Sequence, residues 1–341
     1  MRRRGELGRL DARAAGAGPK LTRIVLARGR TPSQPMLALR GRGAFDVQLA
    51  ESRRVADAEA QVGADRRLRG RCTVPGMVSA AGGYPDARFF DAPDGVRLAY
   101  RELGEGRPVV LLHGVTADAE SWFAAGAALA PALAERGHRV IMPDFRGHGS
   151  SGKPQGVESY PADVLTDDTL ALVGHLKLDA YDVGGYSLGA RIAVRMLVRG
   201  AEPRRVVVGG QGLREVLGTG GGAGNALRRA LAGAGTSEPG TREARTEEYL
   251  RARGTDPVAL LHVLDSLADT PQELVAPLRA ALLVVIGTED ERLPSARELV
   301  ALLPTARLVE VPGNHGTAAL APELTRAFVD FLSAPEHAPK G

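Results

Sequence analysis

Gly185-Tyr186-Ser187-Leu188-Gly189 sets a serine between two glycines, directly after the short run Tyr181-Asp182-Val183-Gly184 and directly before a segment of helical period. A serine at such a junction sits on a tight strand-to-helix turn, where flanking glycines allow backbone angles and close packing that larger residues do not. The turn lifts the hydroxyl above the end of the strand as a nucleophile elbow. The helix that follows aims its free amides and the positive end of its dipole at the same point, which suits a developing oxyanion. Those features fit nucleophilic catalysis by Ser187. A serine hydroxyl is a weak nucleophile, so it needs a base within hydrogen-bond reach and an acid that orients the base. Seven histidines are available, and the elements that carry them decide which can serve.

From about Ala87 onward, short apolar runs alternate with helical segments. Arg88–Asp91 and Val96–Glu102, separated by Pro93-Asp94-Gly95, read as an opening β-hairpin. Pro108–Leu112, Arg139–Met142, Tyr181–Gly184, Arg205–Val208, Ala281–Ile286 and Arg307–Val311 read as strands, the most apolar of them buried on both faces of a parallel sheet. Between them helices are predicted over Ser121–Glu135, Pro161–Leu176, Leu188–Arg199, Ser295–Leu303 and Pro322–Leu332. Strict alternation of this kind predicts an α/β protein with helices on both faces of a mostly parallel sheet. Residues 212–277 break the rhythm with helical and Gly-rich sequence that lacks any convincing strand, and are expected to form an inserted helical cap. His138, His175, His262 and His337 fall at helix ends, in that cap or in the tail, without a partner motif.

Charge divides the chain unevenly. Residues 1–76 carry 16 Arg and one Lys against 7 acidic residues, whereas the remainder carries 27 basic and 33 acidic ones. The basic segment has one aromatic, Phe45, and no sustained period, so it cannot bury a core. Residues 1–80 are therefore expected to be a disordered extension rather than an arm for nucleic acid or an anionic membrane, with the folded domain over 81–335. The longest apolar run, near Leu282–Ile286, is far short of a bilayer span, and no secretory h-region follows Arg2-Arg3-Arg4. A cytoplasmic enzyme is expected. A single cysteine, Cys72, excludes an internal disulfide and a cysteine-rich metal site. No P-loop, no G-x-G-x-x-G after a first strand and no H-E-x-x-H occurs, so neither a cofactor nor a metal is called for.

Taken with the alternating elements, the G-x-S-x-G turn resembles the α/β-hydrolase superfamily, serine esterase and lipase-like branch, from about Ala87 to the last helix. His113-Gly114-Val115, at the end of a strand, is similar to the family's oxyanion loop, and the resemblance implies an oxyanion hole made by the amides of Val115 and Leu188. Pro143-Asp144-Phe145-Arg146-Gly147-His148-Gly149-Ser150 resembles the family's D-x-R-G-x-G-x-S turn, in which Asp144, Arg146 and His148 are expected to tie loops together. The family places its acid and base, in that order, on loops after late strands. Gly287-Thr288-Glu289-Asp290-Glu291 matches the G-x-x-D spacing and Pro312-Gly313-Asn314-His315-Gly316 the G-x-H spacing. The resemblance thus implies an eight-stranded sheet and a triad of Ser187, Asp290 and His315, with Glu289 and Glu291 as competing acids.

Such a triad hydrolyses a carboxylic ester or similar acyl bond through an acyl-enzyme, on a small-molecule substrate and without nucleic acid. Serine at position 187 argues against the haloalkane dehalogenase and epoxide hydrolase branches, which use an aspartate nucleophile. Lactone, thioester, C–C and cofactor-free perhydrolase chemistry on the same triad remain open, as does a non-catalytic binding protein on the same fold.

Overall fold

A computed structural model describes residues 84–124, 128–219, 222–233 and 236–335. The basic segment 1–80 with Cys72, and His337 in the tail, lie outside the described residues. Eight strands form one sheet: β1 (Arg88–Asp91), β2 (Arg97–Leu103), β3 (Arg107–Leu112), β4 (His138–Pro143), β5 (Asp182–Tyr186), β6 (Arg205–Gly209), β7 (Ala281–Gly287) and β8 (Ala306–Val311). Their spatial order is β1-β2-β4-β3-β5-β6-β7-β8. The opening hairpin pairs antiparallel, β2 also runs antiparallel to β4, and every later pair is parallel.

This order has a direct consequence for function. The chain leaves β3 toward one edge to make β4, then returns past β3 to make β5 and proceeds toward the other edge. Loops after β3 and β5 therefore diverge at the carboxyl ends of these two neighbouring strands, the position at which open α/β sheets bind their ligands. Leu112 stands in register with Gly185, Tyr186 with Gly209, and Gly287 with Val311, so the strands that bear the candidate residues finish nearly level.

Period-two alternation distributes the apolar side chains over both faces. Val110, Leu112, Val183, Val206, Val208, Val284 and Ile286 face the helices Val164–His175 and Leu188–Val198 in one cluster. Val109, Leu111, Val140, Met142, Val207 and Val285 face the helices Leu129–Ala134 and Pro322–Leu332 in the other. Burial on both sides is what the unbroken apolar runs of the parallel strands predict.

Two helices depart from expectation. Ser121–Glu135 is not one helix: a 3₁₀ turn over Ala119–Phe123 holds the buried Trp122, and a short α-helix spans Leu129–Ala134. Pro131 lies in the first turn of the second piece, where its missing N–H costs nothing, but a helix continuing back through it would lose a bond and clash. Pro161–Leu176 begins late, at Val164, because Asp163 takes a left-handed φ of 70°. The Asp163 carboxylate there binds Thr166 within the first turn and the guanidinium groups of Arg195 and Arg199, the latter two contacts supplied only by the tertiary fold. His138 opens strand β4 instead of ending a helix.

The cap is helical as expected, with Leu213–Leu217, Gly222–Ala232, Arg242–Ala252, Pro257–Asp265 and Gln272–Val275 between β6 and β7. Leu227, Leu231, Leu250, Leu260 and Val263 join the same apolar cluster as Leu188, so the cap shares one core with that face of the sheet. Among the described residues no helix is long and apolar enough to cross a membrane.

Candidate active site

Ser187 stands between β5 and the helix Leu188–Val198 with φ 54° and ψ −115°, a conformation that costs a non-glycine residue roughly 1–3 kcal/mol. Packing enforces it. The Ser187 amide donates to the Gly209 carbonyl at 2.8 Å, and the Ser187 carbonyl accepts from the amides of Ala190 and Arg191 at 3.1 and 3.2 Å. A Cβ on Gly189 would lie 1.9 Å from the Leu112 carbonyl oxygen, and one on Gly185 2.3 Å from the Gly189 backbone. Both glycines are thus required by close approach of β3, β5 and the elbow helix. Gly189→Ala is expected to destabilise the protein by about 3 kcal/mol or more, because the clashing atom is backbone and cannot rotate away. Helix propensity would favour alanine by only about 1 kcal/mol. Urea unfolding of the variant measures the balance, and unchanged stability would contradict this packing.

The loops after β7 and β8 bring in the partners. His315 Nε2 lies 3.0 Å from Ser187 Oγ, and His315 Nδ1 lies 2.8 Å from Asp290 Oδ2. Asp290 is buried, and its other oxygen accepts from the Arg292 amide at 3.0 Å and from Arg292 Nη1 at 3.2 Å. Burial opposes ionisation of Asp290, yet the bonds from His315 and Arg292 outweigh it and hold the carboxyl below its ordinary range. Ser187 and His315 are partly exposed, so a substrate can reach them. Glu289 and Glu291, the competing acids, are exposed, and the bond to His315 comes from Asp290.

Three contributors carry no motif of their own in the sequence. The Tyr186 hydroxyl donates to the His315 carbonyl at 2.6 Å, and burial drives its pKa well above the ordinary phenol range, so it remains a donor. The Asn314 side chain accepts from the amides of Gly316 and Thr317, capping the short helix that begins at His315. Arg292 anchors the Asp290 carboxylate. Tyr186 lies inside the G-x-S-x-G signal and Asn314 beside the histidine, but their variable positions within those motifs gave no reason to single them out.

Gly114 packs against the elbow: a Cβ placed on it would fall 3.7 Å from Ser187 Cβ. Its carbonyl lies 2.7 Å from His113 Nδ1, while His113 Nε2 accepts from the Phe145 amide at 3.0 Å. Those two bonds define a neutral ring that donates to Gly114. In a trans peptide the carbonyl and the following N–H point opposite ways, so fixing the Gly114 oxygen fixes the Val115 amide as well. Leu188, the first residue of its helix, has an amide with no intrahelical acceptor. Further along the loop, Asp118 pairs with Arg253 of the cap at 2.6 Å, and Asp144 accepts from the amides of Ala119 and Ser150 at 2.8 Å each. Arg146 is buried between Asp168 and Asp94, tying the β4 turn to a core helix and to the opening hairpin. Asp144 and Arg146 therefore tie loops as the sequence predicts. Among the described residues no group of three or more His, Cys, Asp or Glu could hold a metal ion.

Burial draws the pKa of His113 down to about 3, with the neighbouring His148 adding to the effect, and that of His138 to about 4. An unfolded histidine protonates near 6.5, so below that pH the unfolded chain binds protons that the folded one refuses. Stability owed to a neutral His113 is intact above about pH 6.5 and is lost as pH falls toward 3, by at most about 1.4 kcal/mol per pH unit. Asp168, raised to about 6 by burial against the pull of Arg146, gains stability over part of the same range, so wild-type protein alone is a poor test. The stability gap between wild type and His113→Asn is expected to narrow as pH drops from 6.5 to 5. A gap independent of pH in urea titrations would show that His113 is not held neutral by burial.

The sheet and the polar cluster above its carboxyl edge define an α/β protein with a serine on a strand-to-helix turn and a helical cap inserted between β6 and β7. The chain belongs to the alpha/beta hydrolase family, whose model matches residues 109–328. It is 39% identical over 110 residues to epoxide hydrolase A of Mycobacterium tuberculosis (strain ATCC 25618 / H37Rv), a match covering 32% of this chain and 33% of that protein. With the non-heme haloperoxidase of Rhodococcus erythropolis it shares 34% over 114 residues, 33% of this chain and 39% of that one. This chain thus spans well under half the length of these curated relatives. Among solved structures, the enol-lactonase of Burkholderia xenovorans LB400 is 26% identical with a TM-score of 0.57, covering 72% of this chain and 100% of that one. The esterase EaEST of Exiguobacterium antarcticum superimposes with a TM-score of 0.58 at 21% identity, over 72% of this chain and 99% of that one.

Proposed function

We propose that the protein is a serine hydrolase that cleaves a carboxylic ester or similar acyl bond through an acyl-enzyme. The hydrogen-bonded chain from Ser187 through His315 to Asp290, on a backbone turn that exposes the serine, carries this reading. Ser187 attacks the substrate carbonyl while His315 Nε2 takes its proton. The amides of Val115 and Leu188 receive the negative charge that develops on the carbonyl oxygen. Asp290 keeps the imidazole proton on Nδ1 and stabilises the imidazolium. His315 then returns the proton to the leaving alcohol, and the same base activates the water that releases the acyl group. Although several relatives are named epoxide hydrolases, position 187 holds serine, whose attack on an acyl group gives an acyl-serine ester, not the alkyl ester of a side-chain carboxylate that an aspartate nucleophile would form.

A lactone is the second reading, favoured by the structural match that spans the whole of an enol-lactonase and 72% of this chain. Folded domain boundaries at 81–335 and a location in the cytoplasm belong to the same proposal. Labelling with a fluorophosphonate, followed by a series of aryl esters and lactones of increasing size, tests the chemistry and ranks substrates together. A full chain that neither labels nor hydrolyses any of them would overturn the serine-hydrolase reading.

A further inference from the structure

The loop that presents the Val115 amide is gripped from two sides, and only one side belongs to its own strand. His113 holds the Gly114 oxygen. The Val115 oxygen, one peptide further on, lies 2.8 Å from Nε2 of His148, a ring delivered by the turn after β4 and 4% exposed. His148 Nδ1 faces the Arg146 carbonyl at 3.0 Å. Both neighbours of the ring nitrogens are acceptors, and a neutral imidazole has one N–H to give. Burial lowers the His148 pKa below the ordinary imidazole range against the pull of the two carbonyls, so the neutral ring must choose.

The groups around the ring come from every packed element. His113, just after β3, lies beside it with ring centres 5.0 Å apart and the ring planes tilted by 59°. Asp144 in the same turn and Asp118 in the oxyanion loop act on it through their charges. The Arg146 side chain is spent on Asp94 and Asp168, and Arg253 of the cap is spent on Asp118. His113 cannot be the donor to Val115, because its Nδ1 serves Gly114 and its Nε2 accepts from Phe145.

The geometry points to His148 as a positioning residue of the oxyanion hole: its Nε2–H holds the Val115 carbonyl and so fixes the loop that aims the Val115 amide at the reacting carbonyl. This assignment rests on the serine-hydrolase reading for its kinetic consequence, though not for the hydrogen bond itself. His148 touches no reacting atom. It acts through the backbone of residues 114–116, which His113 and His148 pin at successive carbonyl oxygens. Freed from the second pin, the loop would still bind substrate but would meet the developing oxyanion with a misplaced donor. The loss therefore belongs in kcat rather than KM.

Glutamine places its amide nitrogen near where Nε2 stands, and asparagine places its own near Nδ1, so the two substitutions separate the two bonds of the ring. Phenylalanine keeps the volume and removes both. With the full chain and an aryl acetate substrate, His148→Phe is expected to lower kcat about thirtyfold, part of the hundredfold or more that losing an oxyanion donor costs. KM should stay within about threefold, and fluorophosphonate should still label Ser187 to completion. His148→Gln should recover activity to within about fivefold of wild type, while His148→Asn should not. Nitrogen-15 spectra of histidine-labelled protein, with His148 identified from the His148→Gln spectrum, should show a proton on Nε2. A bare Nε2, a Phe variant with kcat within threefold of wild type, or equal activity in the Gln and Asn variants would each overturn the assignment. If Phe fails to yield folded protein, the Gln and Asn pair and the spectrum still decide. Should wild-type protein neither label nor hydrolyse, the serine-hydrolase reading falls, while the Nε2 proton alone then decides whether His148 holds the loop.

Discussion

Ser187→Ala is expected to abolish fluorophosphonate labelling and to lower kcat for ester hydrolysis by at least about a thousandfold. Only a hydroxyl is removed, and the backbone bonds that hold the turn, from the Ser187 amide to Gly209 and from Ala190 and Arg191 to the Ser187 carbonyl, do not involve it. Thermal and urea stability should therefore equal or exceed those of wild type. Residual hydrolysis would reflect the Val115 and Leu188 amides and His315 acting on water, which is why the loss is large without being complete. A variant that keeps full hydrolysis would remove the catalytic reading from this site altogether.

The second large effect separates three neighbouring carboxylates. Asp290→Asn should reduce kcat by as much as about ten-thousandfold, as in the best-studied serine protease triad. Asparagine is nearly isosteric, but its amide would present N–H either to Arg292 or to His315 Nδ1. Toward His315, it would leave the imidazole proton on Nε2, where the ring cannot accept from Ser187. Glu289→Gln and Glu291→Gln should each cost less than about tenfold, since both side chains are exposed and Asp290 already occupies the bond to His315. Steady-state kinetics on the three variants, with unfolding curves for each, check the ranking. If Glu289→Gln were crippling and Asp290→Asn nearly silent, the acid would be Glu289 and the serine mechanism would survive.

Much of this site is legible in the chain because its chemistry coincides with backbone constraint. Gly185 and Gly189 flank the serine since any larger residue would collide with the β3 and elbow-helix backbone, so the constraint is written as residue type at fixed spacing. Continuous apolar runs mark the inner strands because both faces are buried, and this placed β3, β5, β6 and β7 within a residue or two. By contrast, Glu289, Asp290 and Glu291 are indistinguishable as types. Resemblance to a spacing favoured the middle one, and the tertiary turn sets the three apart, burying Asp290 beside Arg292 and His315 while leaving its neighbours in water.

What the amino-acid sequence determined by itself was therefore local: the alternating elements, the elbow, the interrupted stretch that became the cap and the shortlist of acid and base. What the tertiary structure decided was long-range. The left-handed turn at Asp163 depends on Arg195 and Arg199, more than thirty residues away. His138 takes its place in a strand through pairing with β3. His148, read from its motif as one more residue tying loops, acquires a specific partner, the Val115 oxygen, only when β4 crosses beside β3. Periodicity and residue spacing record constraints between neighbours in the chain. Which distant carbonyl a buried imidazole meets is fixed by strand order, and no short pattern in the sequence encodes that order.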